Sequence, residues 1–258
     1  MHQLKHRIQK VGKICVRQLR ATVPQSATRV FDQVRAVLDP YAVSTYSQEG
    51  EDVILHRLFE EQSCGFYIDV GAYHPQRFSN TYLFYKRGWR GINIDPNVDL
   101  IAEFRRSRQR DLNLAIGISN EVGELRYHRF NEPALNTFDE VLAHERDNLR
   151  GYHLLSTIVV PVKRLDEVLK EYVSRDQRID FLSVDTEGYD LKVLCSNDWS
   201  RFHPWCVLVE VLGSALDNLS LNPIHTYLSS VGYDVFAKTV NTLIYLSRDE
   251  RTQGLSVQ

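Results

Sequence analysis

Five carboxylates and one histidine stand where a chain can do chemistry. Asp69 lies near the end of an apolar run, Phe66-Tyr-Ile-Asp-Val, that stops at Gly71; Asp95 closes a second run, Gly91-Ile-Asn-Ile-Asp, 26 residues after Asp69. A glycine just past a strand permits a tight turn and lets a ligand approach the backbone. An acid at the end of the second strand suits a ribose diol, because a carboxylate accepts from both hydroxyls. An acid ahead of the turn suits a cationic amine better than a pyrophosphate. Pro75 breaks the G-x-G-x-x-G pattern of dinucleotide sites, so the pair favours an adenosyl ligand carrying an amino acid. Capping of a loop or helix is the plainer alternative for each acid alone.

Asp185-Thr-Glu187-Gly188 ends a later apolar run, and Glu210 closes the next one. Unpaired buried carboxylates are costly, so three of them at neighbouring strand ends point to proton transfer, polyol binding or a divalent metal ion. His74, just past the glycine turn, is the best placed of nine histidines for general-base work. A loop histidine bonded to backbone is the alternative. His153 would reach the site only from a segment that closes over it. Arg105, Arg106, Arg108 and Arg110 would meet a phosphate or, more simply, solvate a helix end.

These residues need a frame that brings strand ends together. From residue 50 onward, apolar strands alternate with helical segments. Glu51–Phe59, a stretch ending at Arg87 before Gly88, Val98 to about Arg106, Arg164–Val173, Tyr189–Cys195 and Pro223–Ser230 read as helices. Phe66–Val70, Gly91–Asp95, Leu112–Ile118, Asp180–Asp185, Trp205–Val211, Tyr233–Lys238 and Thr242–Ser247 read as strands. Glu124–Phe130 and Thr157–Val162 alternate like a hairpin around about 26 polar residues, 131–156, too many for an ordinary loop. That segment is expected to be a lid, an insertion or a disordered stretch, and its His144, Arg146, Arg150 and His153 would suit an anionic acceptor. Continuous apolar strands imply a mostly parallel sheet covered on both faces, with one antiparallel member from the terminal pair. Such sheets bind ligands outside the carboxyl ends of their strands.

The 258 residues carry 31 Lys and Arg against 33 Asp and Glu, a net charge of −2. The first 31 residues hold seven basic side chains and no acid, which leaves the remaining 227 at −9. That excludes a broad nucleic-acid face over most of the chain. Leu4, Ile8, Val11, Cys15 and Leu19 share one helical face. Residues 1–40 therefore read as a basic amphipathic arm, either a membrane-surface anchor or a helix packed on protein. No apolar run reaches the ~18 residues of a membrane span. Four cysteines without C-x-x-C spacing and the lack of a secretory signal indicate reduced thiols and a cytoplasmic location, with peripheral membrane contact if the arm binds lipid. Residues 251–258 are expected to be a tail.

Tyr46-Ser-Gln48-Glu-Gly50-Glu51-Asp52, Tyr67-Ile-Asp69-Val-Gly71-Ala-Tyr-His74-Pro75, Ser79-Asn80-Thr81, Gly88-Trp89-Arg90-Gly91-Ile-Asn-Ile-Asp95-Pro96 and Phe181-Leu-Ser-Val-Asp185-Thr-Glu187-Gly188 resemble the FkbM-type methyltransferases over about residues 44–247. The resemblance implies an α/β, class I methyltransferase (Rossmann-like) fold: a seven-stranded, mostly parallel sheet of order 3-2-1-4-5-7-6 spanning about 41–250. It implies S-adenosylmethionine as cofactor, its methionine part at Asp69, Gly71 and Ala72, its ribose at Asp95, and Gln48 with Asp52 closing over it. The implied reaction is O-methylation of a sugar, glycan or glycolipid hydroxyl. His74 or Asp185 would take the proton, Glu187 and Glu210 would orient hydroxyls or hold a metal with Asp185, and His153 would touch the acceptor. Two rivals are a metal-dependent nucleotide-sugar glycosyltransferase and a non-catalytic, membrane-recruited binding module. A nicotinamide dehydrogenase ranks lower because of Pro75.

Overall fold

A computed structural model describes residues 41–212 and 216–249. The basic arm 1–40 and the tail 251–258 lie outside the described residues. From Thr45 on, the described chain belongs to one compact unit.

Seven strands make the main sheet. In chain order they are β1 (Phe66–Val70), β2 (Arg90–Ile94), β3 (Leu112–Leu114), β7 (Phe181–Val184), β8 (Cys206–Glu210), β9 (Tyr233–Lys238) and β10 (Thr242–Ser247). Their spatial order is β3-β2-β1-β7-β8-β10-β9. β10 runs antiparallel to both neighbours, and the other pairs are parallel. Counted along the whole chain, this differs from the expected 3-2-1-4-5-7-6. The cause is a second sheet, order β4-β6-β5, made by β4 (Gly117–Ile118), β5 (Gly123–Phe130) and β6 (Leu154–Lys163) before the chain returns beside β1. With those three strands left out of the count, the neighbours run 3-2-1-4-5-7-6.

The second sheet also corrects the third strand. Leu112–Ile118 is not one strand: it pairs with β2 through Leu114, then crosses to pair with β6 from Gly117. A Cβ on Gly117 would stand 2.6 Å from the Phe138 ring, so this crossing needs a residue without a side chain. β5 and β6 form the expected hairpin.

Alternation along the strands splits the core in two, as the two-residue period requires. Tyr67, Phe181, Leu208 and Ile244 pack with Leu55 and Phe59, on or next to α1 (Glu51–Leu58), and with Phe84 of α2 (Tyr82–Lys86). Ile68, Leu182, Val207 and Tyr245 face Leu165 and Leu169 of α5 (Leu165–Tyr172), Val193 of α6 (Asp190–Cys195) and Leu228 of α7 (Pro223–Ser230). Two further helices, α3 (Val98–Ser107) after β2 and α4 (Glu140–Arg146) between β5 and β6, border the site described next. The strand order reverses between β1 and β7, and sheets of this kind bind ligands outside the carboxyl ends of the strands at such a point. Among the described residues no helix is long and apolar enough to cross a membrane, and Cys64, Cys195 and Cys206 are free thiols.

Candidate active site

An open cleft, partly continuous with solvent, lies at the carboxyl ends of β1, β2 and β7. Gln48, Asp69, Gly71, Ala72, Asp95, Asp185 and Glu187 all line it. Gly71 makes the turn: its φ is +80°, and its N–H donates to Ile94 O at 2.9 Å. A Cβ there would stand 1.7 Å from the carbonyl oxygen of Asp185. Tyr73, Phe78 and Glu187, three of the five non-glycine residues at positive φ among those described, also line the cleft. Left-handed backbone at bulky residues is costly and concentrates where a ligand is gripped.

Two carboxylates stand at the β1 and β2 end of the cleft. Asp69 is buried and accepts from Thr81 Oγ1 at 2.9 Å. Burial pushes its carboxyl up to about 6, against the hydrogen bond from Thr81 and the nearby Arg108 charge. Asp95 accepts from Tyr73 N at 3.0 Å and Asn97 N at 2.7 Å, so it caps its own loop. Burial nevertheless raises it to about 7, and Asp69 adds to the rise. Capping was the plain reading for Asp95, and it holds alongside a place in the cleft.

At the other end, one oxygen each of Asp185, Glu187 and Glu210 lies within 4.8 Å of the other two. Asp185 presents surface to the open cleft. Desolvation first, then Glu210 and Glu187, push its carboxyl well above the ordinary range. Glu210 is raised to about 8 by burial and by Glu187. Arg146 Nη2 pairs with Glu187, and Thr137 Oγ1 donates to the Glu187 carbonyl at 2.6 Å. Both partners come from the segment 131–156, which is therefore ordered: it carries a 3₁₀ turn at Pro133–Leu135 and helix α4, and its Pro133, Ala134, Asn136 and Phe138 wall the cleft. Arg146→Ala should cost about 2 kcal/mol, below the value for a fully buried pair because both side chains keep some exposure. Only ionised Glu187 gains from the guanidinium, so the loss in urea unfolding should grow as pH rises.

A family profile described as the methyltransferase FkbM domain matches residues 69–235, well over half of the chain. The chain belongs to the FkbM methyltransferase family. The match begins at Asp69 and takes in Asp95, Asp185, Glu187 and Glu210, while Gln48 and Asp52 precede it. Two solved structures are similar. One is a methyltransferase from Geobacter sulfurreducens, 13% identical, with a TM-score of 0.41 over 92% of this chain and 97% of that one. The other is an O-methyltransferase from Bacillus cereus in complex with SAH, 13% identical, with a TM-score of 0.36 over 88% and 92%. No curated protein matches.

Three expected residues are not brought to the FkbM cleft. Asp52 is buried in the first turn of α1, where it accepts from Thr45 Oγ1, Tyr46 N and Ser47 Oγ; it fastens the segment that carries Gln48 and does not line the cleft. His74 Nδ1 accepts from Gln76 N and Arg77 N, both at 3.0 Å, and its Nε2 lies 3.6 Å from Glu103. Burial lowers its basicity, and the ring is absent from the cleft lining. His74 is thus bonded to the backbone of its own loop, as the plainer reading expects. His153 Nδ1 lies 3.1 Å from Asn148 Oδ1, and its N–H donates to Asn131, within the insertion's own loops. Glu210 reaches the cluster without lining the cleft.

Other residues of the site carried no signal of their own. Thr137 and Phe138 are ordinary residue types in ordinary spacing, placed by long-range packing, whereas Ser183 lies within the Phe181–Gly188 motif. Asn80 lay within a quoted motif and donates to Ser183 Oγ at 3.1 Å. Arg108 was expected on a phosphate or in solvent, but it is completely buried.

Proposed function

We propose that this FkbM-family methyltransferase moves a methyl group from S-adenosylmethionine to a hydroxyl oxygen of a sugar or glycan-type acceptor. The carrying observation is the pair Asp69 and Asp95 at adjacent strand ends, both buried in one cleft and both with protonation raised by burial. Such a pair fits a ligand with an ammonium group and a ribose diol, since each would offset the desolvation that the carboxylates carry. Asp69 with Gly71 and Ala72 would hold the amino-acid part, Asp95 the ribose, and Gln48 would border the same cleft.

The bound cofactor supplies a sulfonium methyl that is already electrophilic, so the protein's work is alignment, water exclusion and removal of one proton. Asp185 would take the proton of an acceptor hydroxyl held against the cofactor's methyl. Desolvation and its acidic neighbours make it a stronger base than an ordinary carboxylate. Glu187, held by Arg146, and Glu210 orient neighbouring hydroxyls. The wall made by Pro133, Ala134 and Phe138 shields the reacting atoms from water. The O-methyltransferase from Bacillus cereus carries SAH in its structure, which agrees in cofactor class.

Calorimetry with S-adenosylhomocysteine tests the cofactor. Binding in the micromolar range, roughly −7 to −8 kcal/mol, is expected, and no heat up to millimolar ligand would sink the reading. Asp185→Asn should lower methyl transfer to sugar hydroxyls at least ~100-fold while leaving S-adenosylhomocysteine affinity within threefold. The clustering of Asp185, Glu187 and Glu210 within 4.8 Å favours a second reading of that end, a divalent ion that polarises the hydroxyl. Loss of transfer in EDTA, restored by magnesium or manganese, would select it. The glycosyltransferase and dehydrogenase alternatives are set aside by the family match. A glycan acceptor, a cytoplasmic location and lipid contact through residues 1–40 stay part of this proposal, the last tested by liposome sedimentation of the full chain against a chain lacking those residues.

A further inference from the structure

Arg108 closes α3 and is completely buried, an expensive place for a charge. Its Nε donates to Asp111 Oδ2 at 2.9 Å, which neutralises the guanidinium. The rest of its donors fan outward. Nη2 donates to Tyr67 Oη at 2.9 Å and to Thr81 Oγ1 at 2.8 Å, and Nη1 donates to Pro75 O at 3.0 Å. Tyr85 and Phe104 flank the guanidinium, with ring centroids 4.8 and 5.5 Å away. A buried ion pair is weak support for stability, since apolar side chains of similar volume often do as well. The direction of this fan is more informative than its energy.

A guanidinium has no acceptor, so Thr81 Oγ1 must accept from it. The single hydroxyl hydrogen of Thr81 is then free for Asp69 Oδ2, 2.9 Å away. A direct Arg–Asp pair would consume the charge of Asp69. The interposed hydroxyl fixes the carboxylate's orientation and leaves that charge for a ligand. The second branch, through Pro75 O, anchors the loop whose Tyr73 N–H holds Asp95.

We propose that Arg108 is the positioning residue of the cofactor cleft, orienting Asp69 through Thr81 for the ligand's ammonium and anchoring the Tyr73–Pro75 turn beside Asp95. This rests on reading the cleft as a site for S-adenosylmethionine. The two ends are separable with two ligands: S-adenosylhomocysteine, which has the amino-acid part, and 5′-methylthioadenosine, which lacks it.

The full chain is titrated with both, as wild type, Thr81→Val, Thr81→Ser and Arg108→Met. Thr81→Val should weaken S-adenosylhomocysteine ~10-fold, the effect of one charge-assisted hydrogen bond, and leave 5′-methylthioadenosine within twofold. Thr81→Ser, which keeps the hydroxyl, should restore affinity, and Arg108→Met should weaken both ligands. Equal losses for the two ligands in Thr81→Val, or no loss, would overturn the proposal. If Arg108→Met does not fold, the Thr81 pair decides alone. A wild type that binds neither ligand would instead refute the cofactor reading, and this inference with it.

Discussion

Among the described glycines, Gly71→Ala should be the most damaging alanine substitution, with an expected loss of ~3–5 kcal/mol and a fall of roughly 10 °C in melting temperature. The added Cβ would lie 1.7 Å from Asp185 O, less than half of a normal contact, and the obstacle is backbone, not a mobile side chain. The residue also sits at φ +80°, which alanine adopts only with strain. Relief requires β1 and β7 to separate where Asp185 N–H donates to Val70 O at 3.0 Å, and it pulls on the Gly71 N–H bond to Ile94 O that ties β1 to β2. Those strand ends carry Asp69 and Asp185, so binding of S-adenosylhomocysteine should vanish even in any fraction that folds. Thermal melting and calorimetry on the purified variant check both parts; a melting temperature within 2 °C of wild type would contradict the packing argument.

Asp95→Ala should weaken S-adenosylhomocysteine ~100-fold, about 2.7 kcal/mol, through the loss of a charged acceptor for two ribose hydroxyls. The pH dependence separates this from general damage. Asp69 and Asp95 are raised in the folded chain to about 6 and about 7 from an ordinary 3.8. The folded state therefore holds protons that the unfolded state releases. The stability these two groups contribute is present below pH 3.8 and is lost as pH rises through about 7. The ligand's ammonium group and its ribose hydroxyls prefer the ionised carboxylates, so affinity runs the opposite way. The thermal shift produced by S-adenosylhomocysteine should grow from pH 5.5 to pH 8, and Asp95→Ala should flatten the upper part of that rise. A shift independent of pH in the wild type would contradict the assignment of these two acids.

The Asp69 and Asp95 end of the cleft was legible in the chain because it depends on local order. An apolar run long enough to be a buried strand must end somewhere, and at Asp69-Val-Gly71 and at Asp95 the residue types change abruptly. The terminal elements read equally well: Pro223–Ser230, Tyr233–Lys238 and Thr242–Ser247 match α7, β9 and β10 residue for residue. A proline at the helix start and strand periodicity on either side of a turn are signals carried within a few residues.

Partner choice was not legible. Nothing in the spelling of Leu112–Ile118 says that its first half pairs with β2 and its second half with β6; that depends on Phe138 and Val162, which crowd Gly117 from elsewhere in the chain. His74 and Arg108 make the same point for charge. His74 sits three residues past Gly71 and looked like a base, yet its ring is taken by the N–H groups of its own loop. Arg108 sits in a run of arginines that looked like solvent or phosphate ligands, yet it is the member that is buried behind Asp69. The residue types at the strand ends were determined by the sequence alone, through periodicity and turn chemistry. Which of those side chains share one cleft, and which buried cation orients them, was decided by the tertiary fold, because hydrogen-bond direction and desolvation depend on neighbours tens of residues away.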